Sequence, residues 1–409
     1  MKWRAVALAD IAHVVTKGTT PTTMGKPFTD TGVNFIKAEA LNGDCSLESQ
    51  SFSFIDDETH QLLKRSILQE DDVLVTIAGA QVGKCGYVRA EHLPANTNQA
   101  VGIVRINKQK ANSRFVYYFF KQPSTFSLCQ TLGAAQAAQP NVNLTVLKGF
   151  EIPLPSQIEQ DRIADVLSAY DELMENNRRR MGLLEESARL LYREWFVRLR
   201  FPGHEHIRVT NGIPEGWERC RIGDIADCVG GGTPSTTVPA YWDDGDITWI
   251  TPTDVTRNKH FVLLDSEKKI TEAGLKNSSA KLVPSHAVLM TSRASVGFFA
   301  TAGREVCTNQ GFISVVPPDT IFSTFLLFQL SERVEEIRTM GSGSTYPEVS
   351  RGKFREFQVL MPPRRLVVDF DEQASLMLKQ IRVLKQQNQK LRAARDLLLP
   401  RLMSGEIAV

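Results

Sequence analysis

The sequence predicts an α+β protein. Two homologous mixed α/β domains are separated by two long antiparallel helices, which form a coiled-coil spacer with pseudo-twofold symmetry. Three observations predict this fold: an internal duplication, two long heptad repeats, and short β-branched runs punctuated by Gly, Pro, Asn and Asp.

A tandem duplication covers most of the 409-residue chain. TNQAVGIV at 97–104 returns as TNQGFISV at 308–315, and VLVT at 73–76 returns as VLMT at 288–291. DIAHVVTKGTTP at 10–21 matches DIADCVGGGTP at 224–234, and VNFIKAE at 33–39 matches ITWITPT at 247–253. The repeat of about 210 residues is far longer than the roughly 20–50 residues of a solenoid unit. It therefore predicts two homologous domains.

Each copy begins with a mixed part, in which β-branched and aromatic runs predict strands. The predicted strands are 33–36, 73–77, 101–106, 247–250, 288–291 and 312–316. RFVYYFF at 114–120 and IFSTFLLFQL at 321–330 are interpreted as short buried helices, although periodicity alone also permits strands there.

Each copy ends in a long predicted helix. Ser156 and Glu159 form a capping-box pattern at the start of the first one. Apolar residues then recur at alternating steps of three and four, which defines a seam in each helix. The first seam is Ile163, Leu167, Tyr170, Met174, Asn177, Met181, Leu184, Ala188, Leu191 and Trp195; the second is Phe370, Ala374, Met377, Ile381, Leu384, Asn388, Leu391, Arg395, Leu398 and Leu402. The predicted segments are a mixed domain at 1–155, a helix at 156–200, a linker with a mixed domain at 201–362, and a helix at 363–409.

The two seams are expected to pack on each other, because an apolar stripe left in water is unfavourable. Connectivity leaves the relative direction open, and duplication favours an antiparallel pair. Asn177 and Asn388 either fix the register of the pair or face solvent at a helix bend. Arg395 and Pro400 make the last turns of the second seam less regular.

Composition narrows the class of protein. Hydrophobic residues make up 42% and charged residues 23%, and the net charge is +2. No segment reaches the ~18 apolar residues of a membrane span, and the N-terminal segment lacks the apolar core of a secretory signal. The six cysteines form no CxxC pair, which fits a reduced cytoplasmic location.

The sequence predicts no catalytic centre, cofactor or metal site. GAQVGK at 79–84 lacks the spacing of a phosphate-binding loop, and the following GYVRA favours a strand over a helix. The seven histidines form no HxxxH or HExxH pair, and no Asn-Pro-Pro-Tyr-type tetrapeptide of a DNA methyltransferase occurs. Asp265, Glu267 and Lys269 could imitate a nuclease cluster, but the first copy has no equivalent set.

Three local motifs resemble the specificity subunits of type I restriction–modification systems. LPSQIEQ at 154–160 is similar to the start of the family's central conserved helix, and WFV at 195–197 followed by FP at 201–202 is similar to its end. LLLPRLMSGEI at 397–407 is similar to the C-terminal end. MPPR at 361–364 departs from the pattern because it lacks the Glu-Gln pair, so the motif does not fix the start of the second helix.

The resemblance implies a non-catalytic subunit. Each mixed domain would be a target recognition domain for one half of a bipartite double-stranded DNA site. The helices would be spacers that dock two methyltransferase (modification) subunits, and restriction subunits would join through this modification core. The chain would direct adenine methylation or ATP-dependent cleavage by its partners.

Candidate DNA-binding residues lie in loops at matching places of the two copies, where polar and basic side chains can reach bases and phosphates. In the first copy they are Lys17, Thr19, Thr20, Lys37, Glu39, Gln81, Lys84, Asn98, Gln99, Gln136, Gln139 and Asn141. In the second copy they are Thr233, Ser235, Thr236, Thr251, Thr253, Arg257, Lys259, Ser292, Arg293, Asn309, Gln310, Ser342, Ser344 and Tyr346. Gln81 and Lys84 are paired with Ser292 and Arg293 by sequence.

The repeated Asn-Gln pair has two interpretations. Identity between copies that read different half-sites favours a structural turn, with Asn capping the loop, and direct contact with DNA is the alternative. Two other functions also stay open: a coiled-coil scaffold that bridges two protein ligands, and a specificity module of another restriction architecture.

Overall fold

The structure is a computed structural model that describes residues 3–42, 44, 46–134, 140–341 and 347–409. The chain divides into two compact units, one of Met1–Leu173 with Lys390–Val409 and one of Met174–Gln389. Each unit therefore contains one mixed domain and a part of each long helix.

The first unit contains the first mixed domain. Its strands are β1 (Arg4–Ala7), β2 (Ala12–Lys17), β3 (Val33–Ile36), β4 (Ser53–Ile55), β5 (Val73–Thr76), β6 (Cys85–Tyr87), β7 (Ala95–Thr97), β8 (Val101–Ile106) and β9 (Glu151–Leu154). Its α-helices are α1 (Leu8–Ile11), α2 (Asp57–Leu62), α3 (Ser113–Lys121), α4 (Pro123–Ala134) and α5 (Leu144–Lys148). The long helix α6 (Gln157–Tyr192) follows and ends in a π-helical turn, Arg193–Val197.

The second mixed domain repeats this order. Its strands are β10 (Val209–Thr210), β11 (Ile213–Pro214), β12 (Glu218–Arg221), β13 (Asp227–Gly230), β14 (Ile247–Ile250), β15 (Lys268–Ile270), β16 (Val288–Thr291), β17 (Phe299–Ala300), β18 (Cys307–Thr308), β19 (Phe312–Val316) and β20 (Gln358–Met361). Its helices are α7 (Ile222–Ile225), α8 (Pro252–Thr256), α9 (Glu272–Lys276), α10 (Phe322–Glu332), α11 (Val334–Thr339) and α12 (Arg351–Arg355), and the long helix α13 (Arg364–Met403) follows.

The sheets of the two domains have the same topology. The first domain has a four-stranded sheet in the order β2-β8-β5-β6, a three-stranded sheet β4-β3-β7 and the pair β1-β9. The second has β13-β19-β16-β17, β15-β14-β18 and β12-β20 in the same places, and it adds the hairpin β10-β11. In both three-stranded sheets the central strand pairs antiparallel on one side and parallel on the other. The duplication read from the sequence is therefore confirmed at the level of strand pairing.

The predicted elements of the mixed domains are also confirmed. All six predicted strands are present, and both ambiguous aromatic segments are helices, α3 and α10. Helix α3 buries Phe115, Tyr118 and Phe120 beside the four-stranded sheet of its domain, and α10 buries Phe325 and Phe328. Each helix packs on the four-stranded sheet of its domain, and the Asn112 side chain caps the start of α3.

The long helices begin where the local sequence sets them. Ser156 Oγ donates to Glu159 Oε2 at 2.7 Å, and the Ser156 N–H donates to the same oxygen at 3.1 Å. The Glu159 N–H donates to Ser156 Oγ at 3.4 Å, which completes the capping box. Helix α13 begins at Arg364, directly after Pro362 and Pro363, so the proline pair starts this helix where the family pattern is missing.

The seam residues of both helices are buried or half-buried. Within the second unit Asn177 lies opposite Asn388, while Trp195 packs on Phe370, so the two helices run antiparallel there. Asn177 Nδ2 donates to Asn388 Oδ1 at 2.8 Å, and Asn388 Nδ2 donates to the Met174 carbonyl at 3.1 Å. The two asparagines therefore pair with each other, and the alternative that they face solvent is wrong.

Arg395, the basic residue in the second seam, is 4% exposed within the first unit. Its Nη1 donates to Asp171 Oδ1 at 2.6 Å. Lys121 Nζ and Tyr118 OH donate to Asp171 Oδ2 at 2.9 and 2.8 Å. Burial alone raises the pKa of Asp171, but the charges of Lys121 and Arg395 outweigh it and hold that pKa below its usual value.

Among the described residues, no helix is long and apolar enough to cross a membrane.

Candidate nucleic-acid interface

The loop that follows the first strand of each four-stranded sheet lies against the repeated Thr-Asn-Gln segment. A Cβ atom on Gly18 would lie 2.1 Å from the Thr97 carbonyl oxygen, and one on Gly231 would lie 2.0 Å from the Asn309 carbonyl oxygen. Glycine is required at both places because backbone meets backbone there. Both glycines therefore lie where the loop backbone meets the backbone of the Thr-Asn-Gln segment.

The Thr-Asn-Gln segment holds this loop through equivalent side-chain contacts. Thr20 Oγ1 donates to Gln99 Oε1 in the first domain, and Thr233 Oγ1 donates to Gln310 Oε1 in the second. In the second domain the Gly311 N–H also donates to Asn309 Oδ1 at 2.9 Å, which closes an Asn-capped turn. These contacts favour the structural interpretation of the repeated pair. Asn98 differs, because its Oδ1 is buried without a hydrogen-bond partner.

The other first-domain candidates differ in exposure. Lys17, Glu39, Gln81, Gln99 and Asn141 are exposed, and Thr19, Thr20, Lys37, Lys84 and Asn98 are half-buried. Lys37 Nζ lies 3.9 Å from the centre of the Phe28 ring, a cation–π contact that holds this side chain. Gln136 and Gln139 lie outside the described residues.

In the second domain most candidates are at the surface. Ser235, Thr236, Thr253, Arg257, Lys259, Arg293 and Gln310 are exposed, whereas Thr233, Thr251 and Asn309 are half-buried. Thr251 Oγ1 donates to Asp254 Oδ2 at 2.6 Å and caps α8, so its hydroxyl already has a structural partner. Ser342, Ser344 and Tyr346 lie outside the described residues.

Ser292 requires a correction. It is only 3% exposed, because it lies between two segments of backbone. Its N–H donates to the Gly311 carbonyl at 2.8 Å, and its carbonyl accepts from the Val349 N–H at 2.9 Å. Its side chain therefore does not reach the surface from which Arg293 extends.

The turn between the third and fourth strands of the sheet also corrects the pairing of residues between copies. The Gly83 N–H donates to the Thr76 carbonyl at 2.8 Å, and the Gly297 N–H donates to the Thr291 carbonyl at 2.9 Å. The residue after each glycine then accepts from the same threonine N–H, so Lys84 corresponds to Phe298. The sequence pairing of Lys84 with Arg293 is wrong, because the second turn is one residue shorter.

This turn has the same backbone closure in both domains and a different side chain at its end. Lys84 is half-buried, and Phe298 is 39% exposed. After Lys84 the chain continues as strand β6, so this segment lacks the helix of a phosphate-binding loop. A cation can contact phosphate and an aromatic ring can contact a thymine methyl group, so the two turns offer different chemistry on one framework.

Arg65 is a surface residue that the sequence analysis missed. Its Nη2 donates to Thr19 Oγ1 at 3.2 Å, which places a guanidinium on the loop that carries Lys17. The two residues are 46 positions apart, so no local pattern could link them. The only local signal for this residue was the basic Lys64-Arg65 dipeptide, which precedes the predicted strand at 73–77 and is exposed.

Both carboxylates of the group considered for nuclease chemistry are engaged with basic residues. Asp265 lies 2.7 Å from Arg304 Nη2 and 3.4 Å from Lys269 Nζ, and Glu267 lies 3.6 Å from Arg257 Nη1. Within the described ranges, no group of three or more His, Cys, Asp and Glu residues is placed to hold a metal ion.

Comparison with known proteins bears on both copies. The family model of the type I restriction modification DNA specificity domain matches residues 1–186 and again residues 214–391. The type I restriction enzyme MjaIX specificity subunit of Methanocaldococcus jannaschii is 37% identical over 152 residues, which are 37% of this chain and 35% of that relative. The putative MjaX specificity subunit of the same organism is 20% identical over 422 residues, 100% of this chain and 94% of the relative.

A solved structure shares the fold. The crystal structure of a type I restriction-modification system S subunit from M. genitalium has a TM-score of 0.63 at 15% identity, and the match covers 98% of this chain and 96% of that one. Each family-model match contains one mixed domain together with most of one long helix. The chain therefore belongs to the type I restriction modification DNA specificity family, carries its domain twice, and supplies the DNA specificity of such a system.

Proposed function

We propose that the two mixed domains each read one half of a bipartite double-stranded DNA site, and that the chain itself catalyses no reaction. Residues 1–155 and 201–362 would be the two target recognition domains. Residues 156–200 and 363–409 would be the helices that separate them and dock the partners. In the cytoplasm, two methyltransferase subunits and the restriction subunits joined to them would supply adenine methylation or ATP-dependent cleavage.

One observation carries the proposal: the two domains share a framework and differ in the side chains that it exposes. The close backbone approaches at Gly18 and Gly231, and the threonine–glutamine contacts beside them, are equivalent. The side chains around this framework differ, as Lys84 and Phe298 illustrate. Readers of two different half-sites need this combination, because base edges are distinguished by the side chains that reach them.

The proposed readers are exposed or half-buried side chains of these loops. In the first domain they are Lys17, Thr19, Lys37, Glu39, Arg65, Gln81, Lys84 and Asn141. In the second they are Ser235, Thr236, Thr253, Arg257, Lys259, Arg293 and Phe298. Six further residues would hold the loops in place: Thr20, Gln99, Thr233, Gln310, Thr251 and Asn309. Asn98 would belong to the same structural set.

The long helices are proposed as the spacer. Helices of 36 and 40 residues correspond to about 54 and 60 Å of length, and a DNA turn is ~34–36 Å long. Apolar side chains exposed at heptad spacing in the second unit would be docking surface for a methyltransferase. On α6 these are Leu183 and Leu190, and on α13 they are Leu376 and Val383.

The test is to map methylated adenines by long-read sequencing in cells that express this chain with a methyltransferase partner. A bipartite motif with a fixed gap is expected. Seven residues inserted at 173–174 together with seven at 389–390 should lengthen the gap by about three base pairs, because seven helical residues span about 10 Å. Changed half-sites with the original gap would refute the spacer.

Those insertion points keep the buried aromatic residues in place. An insertion near the end of α6 would instead disturb the core of the second unit, because Trp195 is 8% exposed and packs on Phe370. A scaffold that bridges two protein ligands would instead show no DNA binding that weakens steeply with salt. A fused methyltransferase–nuclease among the co-purified partners would indicate another restriction architecture.

A further inference from the structure

The segment 257–262 carries two of the proposed DNA contacts, Arg257 and Lys259, and its far end lies against the long helix α6 in the second unit. Glu185 of α6 has a side chain that is 8% exposed. Its Oε2 accepts a hydrogen bond from the Phe261 N–H at 2.9 Å and lies 3.4 Å from His260 Nδ1. A buried carboxylate thus binds the backbone of a loop whose other end faces solvent.

Arg189 completes this contact from the next turn of α6. Its Nη2 donates to Glu185 Oε1 at 3.0 Å, and its guanidinium lies 4.1 Å from the centre of the Phe261 ring. Burial by itself raises the pKa of Glu185, but the hydrogen bonds from His260 and Phe261 outweigh burial and hold that pKa below its usual value. The carboxylate is therefore charged at neutral pH.

Lys385 of helix α13 binds the same segment. Its Nζ donates to the Val262 carbonyl at 2.6 Å and to Asn258 Oδ1. Asn258 Nδ2 in turn donates to the Val262 carbonyl at 3.0 Å and to the His260 carbonyl. The segment is thus held at both ends of its bend, with Asn258 on one side and Phe261 and Val262 on the other.

These contacts contribute more to geometry than to stability. Burying an ammonium and a carboxylate costs desolvation, which good pairing offsets without a large surplus. Apolar side chains at these two positions would suffice to cover the helix surface. The two charged side chains instead each fix individual atoms of the segment that leads to Arg257 and Lys259.

We propose that Glu185 and Lys385 are positioning residues for DNA recognition: together they hold segment 257–262 so that Arg257 and Lys259 meet DNA in one fixed position. This inference rests on the proposed function of the second domain as a reader of one half-site. It assigns to the helices a part in specificity in addition to their part in spacing.

A contact in the first unit supports this assignment, with the charges on the helix and on the loop exchanged. Counted from the first residue of each helix, Arg392 occupies the same position in α13 as Glu185 occupies in α6. Its Nη2 donates to Asp44 Oδ2, in the loop that follows β3 as segment 257–262 follows β14. The same helix position thus binds the same loop of its own domain, with the charges exchanged.

The experiment uses the whole chain expressed with its methyltransferase, and long-read mapping of methylated adenines. The wild-type motif tests the proposed function first: the absence of a bipartite motif would refute that function, independently of the positioning role. Arg257→Ala identifies the half-site that the second domain reads, because it removes one proposed reader directly.

Glu185→Ala and Lys385→Met are then compared with Glu185→Gln. We expect methylation of sites with one altered base in the second half to rise about tenfold relative to the intact site in both of the first two variants. Discrimination at the first half should not change. Glu185→Gln should stay close to wild type, because its amide oxygen still accepts from the Phe261 N–H. Glu186→Ala and Lys379→Met are matched controls at exposed positions of the same helices.

A purely structural role predicts a different pattern. Loss of folding reduces methylation at every site and leaves the ratio between altered and intact sites unchanged in both halves. Equal relaxation of both half-sites, or unchanged fidelity at the second half in Glu185→Ala and Lys385→Met, would overturn the positioning role. If Glu185→Ala yields no methylation at all, Lys385→Met decides by the same ratio.

Discussion

The two units have the same strand order and attach their domains to the helices through different chemistry. In the first unit a buried cluster joins Asp171 and Arg395 of the helices to Lys121 and Tyr118 of α3. In the second unit Glu185 and Lys385 bind the loop segment 257–262. Backbone pairing and apolar packing are thus repeated between copies, while polar attachments are not. Each domain therefore has its own polar attachment to the long helices.

The largest expected effect comes from Asp171→Ala, which tests the attachment of the first unit. The change would leave Lys121 and Arg395, whose side chains are only 5% exposed, without the carboxylate that they share, and Arg395 would keep only Asp396, which is 52% exposed. We expect the free energy of unfolding to fall by about 3–5 kcal/mol. Chemical denaturation followed by circular dichroism measures the loss, and peptide-level hydrogen exchange should localise it to α3.

Glu172→Ala is the matched control for that change. Glu172 is 57% exposed and lies 3.5 Å from Arg114, so its removal should cost less than about 1 kcal/mol. Equal losses in the two variants would show that the buried cluster contributes no more than a surface ion pair.

A pH effect should distinguish the attachment of the second unit. Burial lowers the pKa of the Lys385 ammonium from 10.5 to about 8, and the nearby Glu185 carboxylate opposes this only in part. At pH values between these two pKa values, Lys385 holds a proton in the unfolded chain that it has lost in the folded chain. The free energy of unfolding of the wild type should therefore rise with pH relative to Lys385→Met, by up to about 1.4 kcal/mol per pH unit.

Urea denaturation of both proteins at several pH values from 7 to 10 checks this. The difference between them should be flat below about pH 8, where Lys385 is charged in both states. A difference that is flat across the whole range would show that the ammonium is not desolvated.

A smaller effect is expected for the asparagine pair of the second unit. Asn177→Ala should lower the free energy of unfolding by about 1–3 kcal/mol, because Asn388 Oδ1 loses its donor. Replacing both asparagines by leucine should instead raise stability and relax the helix register, as apolar residues do at seam positions. Denaturation of both variants measures this, with Asn176→Ala as the exposed control. A double leucine variant less stable than Asn177→Ala would contradict it.

The smallest effect is expected for Arg392→Ala in the first unit. The side chains of Arg392 and Asp44 are 45% and 28% exposed, so their pair should contribute less than about 1 kcal/mol. Methylation mapping should show slightly relaxed discrimination at the first half-site and none at the second. A change at the second half-site alone would contradict the assignment of this contact to the first domain, and Lys390→Ala is the exposed control.

Much of the fold could be predicted from local patterns. The strands at 33–36 and 288–291 follow from β-branched runs, and the capping box at Ser156 fixes the start of α6. The heptad seam predicted which faces of the long helices are buried. These features depend on residues within a few positions of each other, so a single sequence contains them.

The candidate site could be predicted only as loops. Ser292 looks like its exposed neighbour Arg293 in sequence and is buried between Gly311 and Val349. Phe298 takes the place of Lys84 because the second turn is one residue shorter, and the equivalent hydrogen bonds of the two turns establish this pairing. Arg65 reaches Thr19 across 46 residues. Exposure and long-range contact decide each of these cases.

By itself the sequence determined that the chain is a duplicated α+β protein with two long amphipathic helices, because repeats and periodicity are properties of the chain order. Only the tertiary structure decided that Arg395 in an apolar seam is paired with Asp171, and that Glu185 and Lys385 hold the segment leading to Arg257. The physical reason is that a buried charge is tolerated only where a partner lies within hydrogen-bond distance. That distance is set by how the elements pack.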